Sequence, residues 1–501
     1  MVLNNEALKD KNFWQSKGYS LPQFDMAAVA QKTLQAPVWL HFGAGNIFRC
    51  FPALAHQKLL DAGLVDTGIV VCEMFDEEII DKAFVPHDNM NITVTAKADG
   101  SLEKTVVASI VHAIKGSDTA ELERVFLSPS LQMVSYTITE KGYQPTEKII
   151  IATTNLLYKR WQASAAPIAL VSMDNCSHNG EKLKTAVIAC AKAQGCMDVG
   201  FLAYIEKAAF PLSMIDKITP RPSETVQKTL AGDGVETEII CTAKNTYISA
   251  FVNAESTEYL VVEDHFPNGR PPLEKAGVIF TDAKTVDMVE KMKVCTCLNP
   301  LHTVLAVFGC LLGYETIWEA MKNDGLKRLV EKVGYDEGLP VVVDPGIINP
   351  KEFIDTVLNE RFPNAFIPDA PQRIACDTSQ KIPVRFGETL KVYAERGTVS
   401  ELEYIPLFIA GWLRYLLAVN DKGQPFTLSP DPRLEELTQK LMGIKIGDIT
   451  GIGEKIKPIL ADESLFGIDL TAYRLDIKIE AYFIKMLAGV SAVQNTLDQL
   501  I

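Results

Sequence analysis

The sequence predicts an α/β fold: an N-terminal domain with a mostly parallel sheet, followed by an all-helical C-terminal domain. Up to about residue 284, short apolar runs alternate with helical stretches, the pattern of strand–helix–strand units. Beyond it, long amphipathic or apolar segments dominate and strand patterns are few. A length of 501 residues is typical of two domains. We therefore predict domains at 1–284 and 285–501.

The first element that indicates function is a glycine turn after a buried strand. Residues 37–42 (PVWLHF) predict the strand, 43–46 (GAGN) the turn, and 47–63 a helix. Glycines let a backbone approach the phosphates of a dinucleotide, and a helix N-terminus offers free N–H groups. Phe48 stands where the usual third glycine would be. The competing interpretation is a tight strand–helix turn without a ligand.

An acidic residue at the end of the next strand favours NAD over NADP. Residues 67–75 form a continuous apolar run, as expected for a parallel strand covered on both faces, with Glu73 near its end and Asp76 just beyond. A carboxylate there can accept hydrogen bonds from the adenosine ribose hydroxyls, and it would repel a 2′-phosphate. The spacing leaves both Glu73 and Asp76 as candidates.

Three polar segments follow predicted strands and suggest a shared cleft. Further strands are predicted at 105–114, 131–139, 168–173 and 199–205, with helices at 147–165 and 180–194. Ligands of parallel sheets collect at the carboxyl ends of strands. The polar segments at those ends are TEKGY (139–143), DNCSHNG (174–180) and PLSMIDKITP (211–220). The Pro/Gly-rich stretch 263–277, which contains Arg270, is predicted first as a linker or interdomain loop; a role for Arg270 near the active site is the alternative.

The C-terminal half contains the strongest candidate for catalysis. Helices are predicted at 302–322, 324–334, 351–361, 400–419, 433–443 and 475–499. Lys291, Lys293, Asn299 and His302 precede or begin the first of them, and offer a general base and two hydrogen-bonding groups at the mouth of a buried helix. Such groups suit the reversible removal of a proton from an alcohol. The apolar run 404–419 is predicted as a buried core helix rather than a membrane span.

Composition excludes some partners. The net charge of −14 leaves no excess of cations for a nucleic acid. Ten cysteines, and a polar start without an apolar signal core, lead us to expect a reducing, cytoplasmic location. Cys295 and Cys297 lack a second nearby Cys/His pair, so we expect no metal site. We expect no membrane partner and a monomer or homodimer.

A cationic segment, RIACDTSQKIPVRF (373–386), contains Arg373, Lys381 and Arg385 with Asp377 between them. It could be a solvated loop, or it could anchor a substrate near residues 291–303. The residues alone leave these two alternatives open.

Together these segments resemble the mannitol dehydrogenase family, the long-chain polyol-specific dehydrogenases. The matching stretches lie between about residues 38 and 386 in the family's order: HFGAGNIFR, TITEKGY, SMDNCSHNG, FPLSMIDKITP, EDHFPNGRPPLEKAG, LNPLHT, ERFPN with IPD, and RIACDTSQKIPVR. The resemblance implies a Rossmann-type N-terminal domain, a helical C-terminal domain, a catalytic cleft between them, and catalysis by a lysine without metal.

The resemblance also implies site residues. Lys293 is the expected base, and Lys291 is the fallback. Lys293 stands one position further from Asn299 than the lysine of the family pattern does. Pro300 stands where the family usually has a small glycine. The second carboxamide comes from Asn179 or Asn175, and we assign Asn179 to catalysis. Asn299 and His302 are the other catalytic residues implied. The substrate contacts implied are Asn175, Arg373, Lys381 and Asp216. The cofactor contacts implied are Gly43, Gly45, Asn46, Ile47, Arg49, Glu73 and Asp76.

The predicted reaction is NAD-dependent interconversion of a ketohexuronate such as fructuronate and its aldonate. In oxidation, neutral Lys293 would accept the hydroxyl proton while Asn299 and Asn179 donate to the substrate oxygen. A lysine is normally protonated near neutral pH, so this role requires burial or a neighbouring cation. The alternatives are a mannitol or polyol 2-dehydrogenase, a tagaturonate reductase, and, in another class, a catalytically silent dinucleotide-binding protein.

Overall fold

The computed structural model describes residues 1–97, 99–448 and 450–500, with only the backbone at 500. It divides into two compact units, Met1–Asp287 and Met288–Ile501. The boundary between them lies three residues after the predicted boundary at 284/285. The strands, all in the first unit, are β1 Tyr19–Ser20, β2 Trp39–Phe42, β3 Ile69–Glu73, β4 Asn91–Ala96, β5 Leu102–Val107, β6 Ile110–Lys115, β7 Met133–Tyr136, β8 Ala169–Ser172, β9 Ser213–Asp216, β10 Ile240–Cys241, β11 Tyr247–Ile248, β12 Phe251–Glu255, β13 Tyr259–Glu263 and β14 Ile279–Thr281.

A five-stranded parallel sheet in the order β6-β3-β2-β7-β8 forms the centre of the first unit. Its strands bury both faces: Trp39 and Val71 contribute to one apolar core, and Leu40 and Val70 to another. This explains why the strands are continuous apolar runs. The Rossmann-type prediction is confirmed. Three smaller sheets accompany it, in the orders β1-β5-β4-β12, β14-β13-β9 and β10-β11.

The α-helices of the first unit are α1 Lys11–Ser16, α2 Met26–Gln35, α3 Asn46–Cys50, α4 Pro52–Asp61, α5 Thr119–Phe126, α6 Lys148–Gln162, α7 Asn179–Ala193, α8 Val199–Lys207 and α9 Glu224–Gly232; α10, Ala283–Met292, crosses into the second unit. The helices predicted at 147–165 and 180–194 are present as α6 and α7, whereas three other predictions for this unit, one of a helix and two of strands, are exceptions.

The first exception is residues 199–205, predicted as a strand and found in α8. Phe201, Tyr204 and Ile205 are its buried residues, at helical spacing, and Phe201 packs against the rings of Tyr158 and Trp161. A short apolar run does not distinguish strand from helix by periodicity. Here the aromatic surface of α6 selects the helix.

Two further predictions were wrong in detail. The run 105–114 is two strands, β5 and β6, that belong to different sheets and are separated by Ala108 and Ser109. The helix predicted at 47–63 is broken at Phe51, after which Pro52 starts α4. A proline is favoured in the first turn of a helix but cannot continue one, so it begins a new helix here.

The described part of the second unit is helical, as predicted. Its α-helices are α11 Asn299–Leu312, α12 Ile317–Ala320, α13 Asp324–Glu331, α14 Pro350–Thr356, α15 Pro371–Ile374, α16 Thr378–Arg385, α17 Gly387–Arg396, α18 Tyr404–Tyr415, α19 Leu434–Lys440, α20 Ile452–Leu460, α21 Glu463–Phe466, α22 Leu475–Leu487 and α23 Ala492–Leu500. They are shorter than predicted, because turns at Gly313 and Gly489 divide two of the predicted segments.

Two apolar helices form much of the core of the second unit. In α18, every residue from Ile405 to Tyr415 is buried, which places the apolar run 404–419 in the core as predicted. The helical stretch Ala283–Leu312 is long and apolar enough to cross a membrane, and 78% of its most apolar window is buried inside the protein. Length and composition of this kind are also those of a buried core helix.

Candidate active site

The glycine turn after β2 has the features of a dinucleotide site. Gly43 has a φ of +109°, and a Cβ there would lie 2.8 Å from the Thr137 hydroxyl and 2.9 Å from its carbonyl oxygen. A Cβ on Gly45 would meet nothing within 4 Å, so the turn is open on that side. Asn46 Oδ1 is buried without a hydrogen-bond partner among the described residues. An open backbone beside an unsatisfied acceptor fits a polar ligand such as a dinucleotide.

Glu73 at the end of β3 and Asp76 just after it are both buried. Glu73 accepts hydrogen bonds from the backbone N–H of Ala44 at 2.8 Å, of Phe75 at 2.8 Å and of Asp76 at 3.0 Å. Asp76, 1% exposed, accepts from the Thr242 hydroxyl at 2.6 Å. Glu73 therefore ties the glycine turn to the end of β3, and both carboxylates already have protein partners.

A cavity of about 210 Å³ lies where the polar segments meet. It is lined by residues from the glycine-turn helix and from the segments after β7, β8 and β9: Ile47, Thr137, Ile138, Thr139, Met173, Asp174, Asn175, Ile215, Asp216 and Lys217. The three polar segments predicted to share a cleft thus contribute to one cavity in the first unit.

The two candidate asparagines have different surroundings. Asn175 is exposed and lines the cavity. Asn179 is 1% exposed; its Nδ2 donates to both the carbonyl and the hydroxyl of Ser213 at 3.1 Å, and its Oδ1 accepts from Ser213 N at 3.1 Å. Asn179 therefore joins α7 to β9, which leaves Asn175 as the carboxamide on the cavity wall.

Close packing and one buried hydrogen bond hold these segments together. A Cβ on Gly180 would lie 2.2 Å from the Phe210 carbonyl oxygen, so only glycine permits this approach. The Tyr143 hydroxyl donates to the Asp174 carboxylate, and burial raises the pKa of both groups. The cavity wall is thus built on a fixed framework.

Ile47 and Arg49, which follow the glycine turn, and Arg270, in the stretch 263–277, have different surroundings. Ile47 lines the cavity, whereas Arg49 is 1% exposed and donates to the Ser249 carbonyl at 2.8 Å, with Phe84 beneath its guanidinium. The resemblance implies Arg49 as a cofactor contact, but in the structure its side chain is buried and bonded to the backbone of Ser249. Arg270 pairs with Asp264 and Glu274. The stretch 263–277, predicted first as a linker, lies inside the first unit, which extends to Asp287, so it does not connect the two units.

In the second unit, Lys293 begins a π-helical turn, Lys293–Cys297, between α10 and α11. The Leu298 N–H donates to the Lys293 carbonyl at 3.1 Å, five residues back. Such a turn contains one residue more than an α-turn and is frequent at functional sites. It accommodates the extra residue between Lys293 and Asn299, and Pro300 fits the first turn of α11. Lys293 is 5% exposed, whereas Lys291 is exposed.

His302 lies one turn into α11, beside a carboxylate. Its Nε2 is 3.0 Å from Asp369 Oδ2, at ion-pair distance but outside hydrogen-bond angles, and its ring lies against Phe362. Burial lowers the pKa of His302 despite Asp369, and the nearby Arg385 and Arg361 lower it further. A neutral imidazole can both donate and accept a hydrogen bond, which suits the orientation of a hydroxyl.

The three cations of 373–386 have different partners. Arg373 pairs with Asp369, and its side chain is 70% exposed. Lys381 donates to the carbonyls of Ile374 and Cys376 at the end of α15. Arg385 Nη1 donates to the Thr303 hydroxyl at 2.5 Å and to the Asn299 carbonyl at 3.3 Å. Within the described residues, no carboxylate lies within 4 Å of Arg385, and burial lowers its pKa to about 10.

Sequence reasoning missed several residues of these sites. In the first unit they are Thr137, Asp174 and Lys217; Lys217 is a buried cation that donates to Glu258 at 2.5 Å. In the second unit Asp369 was missed. All four stand within segments that the sequence singles out, namely TITEKGY, DNCSHNG, PLSMIDKITP and IPD, but nothing in the sequence indicates which residue in each would face the site.

Comparison with known proteins identifies the family. The model described as the mannitol dehydrogenase Rossmann domain matches residues 38–275, and that of the mannitol dehydrogenase C-terminal domain matches 285–482. The D-mannonate oxidoreductase of Thermotoga maritima is 48% identical over 100% of this chain and 99% of its own length.

Two solved structures are similar over the whole chain. A D-sorbitol dehydrogenase in substrate-free form has a TM-score of 0.79 at 25% identity, covering 98% of this chain and 100% of that one. The Pseudomonas fluorescens mannitol 2-dehydrogenase in a ternary complex with NAD and D-mannitol has a TM-score of 0.70 at 25% identity, covering 100% and 99%. The chain is thus an oxidoreductase that belongs to the mannitol dehydrogenase family.

Proposed function

We propose that this protein is an NAD-dependent oxidoreductase that interconverts a ketohexuronate of the fructuronate type and its aldonate, mannonate. The observation that carries the proposal is the full-length similarity to a D-mannonate oxidoreductase. The positive charge of Arg385 and Arg361, which lowers the pKa of His302, supports a substrate with a carboxylate.

In the proposed mechanism, each unit supplies a distinct part. The glycine turn and the end of β3 in the first unit would hold NAD, which exchanges hydride with the substrate carbon when bound. Asn175 on the cavity wall would donate to the substrate oxygen. We assign this role to Asn175 in place of Asn179, because the Asn179 carboxamide is already bonded on both ends to Ser213.

The second unit supplies the proton chemistry. In oxidation, Lys293 would accept the hydroxyl proton, and in reduction it would return a proton to the alkoxide. Lys293 is 5% exposed, and as a general base it would act in its neutral form. Asn299 would stabilise the developing alkoxide, and His302 would orient a neighbouring hydroxyl.

Arg385 acts here as a positioning residue. Its guanidinium and the Thr303 hydroxyl both donate to the Asn299 carbonyl, at 3.3 and 2.8 Å, and so fix the first turn of α11. In the part of the chain that the structure describes, no carboxylate lies within 4 Å of Arg385, so its guanidinium also adds positive charge near the start of α11, where it would favour an alkoxide.

The test is NADH oxidation at 340 nm with fructuronate, tagaturonate and fructose in parallel. We expect turnover with fructuronate to exceed turnover with fructose by at least about tenfold. Faster turnover with tagaturonate would indicate a tagaturonate reductase, and turnover with fructose alone a polyol 2-dehydrogenase such as the similar mannitol 2-dehydrogenase. NADH binding without turnover of any of the three would support a silent dinucleotide-binding protein.

A further inference from the structure

A cysteine and a lysine are in contact beside the cavity of the first unit. Lys182, near the start of α7, donates from Nζ to the Cys176 sulfur at 3.1 Å and to Glu140 Oε1 at 3.4 Å. Cys176 is partly exposed, and it follows Asn175, which lines the cavity. The pair therefore connects the loop after β8 to α7 at the edge of the cavity.

Cys176 combines partial exposure with a neighbouring cation. Cys50 and Cys297 are buried, and the exposed Cys241 lies against the carbonyl oxygen of Thr242. Reactive cysteines are typically accessible and close to a positive charge, because the charge favours the thiolate. Cys176 meets both conditions.

Both groups of the pair carry their protons near neutral pH. Burial raises the pKa of the Cys176 thiol, although the Lys182 ammonium opposes this. Burial also lowers the pKa of Lys182, but Cys176 and Glu140 together raise it above its ordinary value. The thiolate and the neutral amine are the nucleophilic forms, so both become more abundant as pH rises above 7.

We propose that Cys176 and Lys182 form an oxidative cross-linking site that hydrogen peroxide closes. First, the Cys176 sulfur attacks peroxide: an S–O bond forms, the O–O bond breaks, and a sulfenic acid and water result, with two electrons passing from sulfur to peroxide. The neutral Lys182 nitrogen then attacks this sulfur: an S–N bond forms, the S–O bond breaks, and the hydroxyl leaves as water with one proton from the nitrogen. Two equivalents of a small thiol restore the pair and leave as their disulfide.

The cross-link would act on the cavity through the loop after β8. The Cys176 N–H donates to Asp174 Oδ1 at 3.0 Å, and Asn175 stands between these two residues. Closing the 3.1 Å contact to a covalent bond pulls on this short turn and so displaces Asn175. A displacement of about 1 Å can cost about 10²-fold in rate. The effect on turnover rests on the proposed function, whereas formation of the bond does not.

The test is mass spectrometry of tryptic peptides from the full chain after treatment with hydrogen peroxide. Trypsin cleaves after a free Lys182 but not after a cross-linked one, so the cross-link leaves a peptide that runs from Trp161 to Lys184. This peptide should be about 2 Da lighter than its reduced form, since two hydrogens are lost. We expect it to form at least about tenfold faster at pH 9 than at pH 7 and to disappear with dithiothreitol. Oxidation of Cys176 to the sulfinic acid without this peptide would overturn the proposal.

Two variants of lysine separate the amine from the charge. Lys182→Arg keeps the cation but lacks the amine, so it should form no cross-link; a product lighter by about 2 Da in this variant would contradict the assignment. Lys192→Arg, at the exposed far end of α7, is the matched control and should cross-link as the unmodified chain does.

Turnover gives a second measurement. Cross-linking should lower turnover with fructuronate by at least about tenfold, reversibly with dithiothreitol, while Cys176→Ser should keep its basal turnover under peroxide. An unchanged turnover in the cross-linked chain would contradict the role of Asn175. Absence of turnover with every ketouronate before oxidation, with the lighter peptide still formed, would contradict the proposed reaction and leave the cross-linking site standing.

Discussion

The cavity wall of the first unit and the start of α11 in the second use polar groups in opposite ways. Around the cavity, Asn179, Asp174 and Tyr143 are bonded to one another or to the backbone, so their charge and dipoles are compensated. At α11, Arg385 has no carboxylate within ion-pair distance in the described chain, and burial lowers the pKa of His302. A compensated network fixes geometry, whereas uncompensated charge acts on a substrate.

The largest expected effect is at Lys293. Lys293→Ala should lower kcat with fructuronate by about 10³-fold, the range of lost general acid–base catalysis, while the melting temperature changes little. Lys291→Ala is the control, since Lys291 is exposed on the preceding turn, and it should retain turnover. Loss of activity in the Lys291 variant alone would reverse the assignment of the base.

Within the first unit, Asn175 and Asn179 should affect different properties, the first catalysis and the second stability. Asn175→Ala should lower kcat by about 10²-fold and leave stability unchanged, because its carboxamide faces the cavity. Asn179→Ala should lower the free energy of unfolding by about 2–3 kcal/mol, because it leaves buried groups of Ser213 unsatisfied. Kinetics and urea unfolding of both variants check this; a stable, inactive Asn179→Ala would favour the assignment from the sequence.

In the second unit, Arg385 tests whether a positive charge without a carboxylate within ion-pair distance in the described chain contributes to turnover. Arg385→Gln should lower kcat by about 10- to 100-fold with a smaller change in KM, because it removes both the hold on the Asn299 carbonyl and the local positive charge. Arg385→Lys should restore part of kcat by restoring the charge. Arg396→Gln is the matched control, an exposed arginine that also donates to a backbone carbonyl. A change in KM alone would indicate substrate binding rather than positioning.

The smallest effect concerns a buried carboxyl at the start of α18. Glu337 accepts from the backbone N–H groups of Glu403, Tyr404 and Ile405 at the start of α18, and burial raises its pKa from 4.5 to about 7. Since the folded protein binds this proton more tightly than the unfolded chain, its stability should fall as pH rises from about 4.5 to 7, by up to about 3 kcal/mol.

Glu337→Gln tests this, because glutamine does not ionise. Urea unfolding at pH 5 and pH 8 should show that the advantage of the unmodified chain over Glu337→Gln shrinks as pH rises. A difference independent of pH would mean that the carboxyl is ionised throughout this range.

The sequence by itself determined the two-domain fold, the parallel sheet and the segments that carry the sites, because these depend on apolar periodicity and on glycine and polar residues at strand ends. It did not determine that residues 199–205 form a helix, since the aromatic side chains of α6 decide this. Nor did it distinguish Asn175 from Asn179, because both stand in one loop and only the position of Ser213 on β9 separates their roles. The π-helical turn at Lys293 likewise depends on packing between distant segments, which only the tertiary structure specifies.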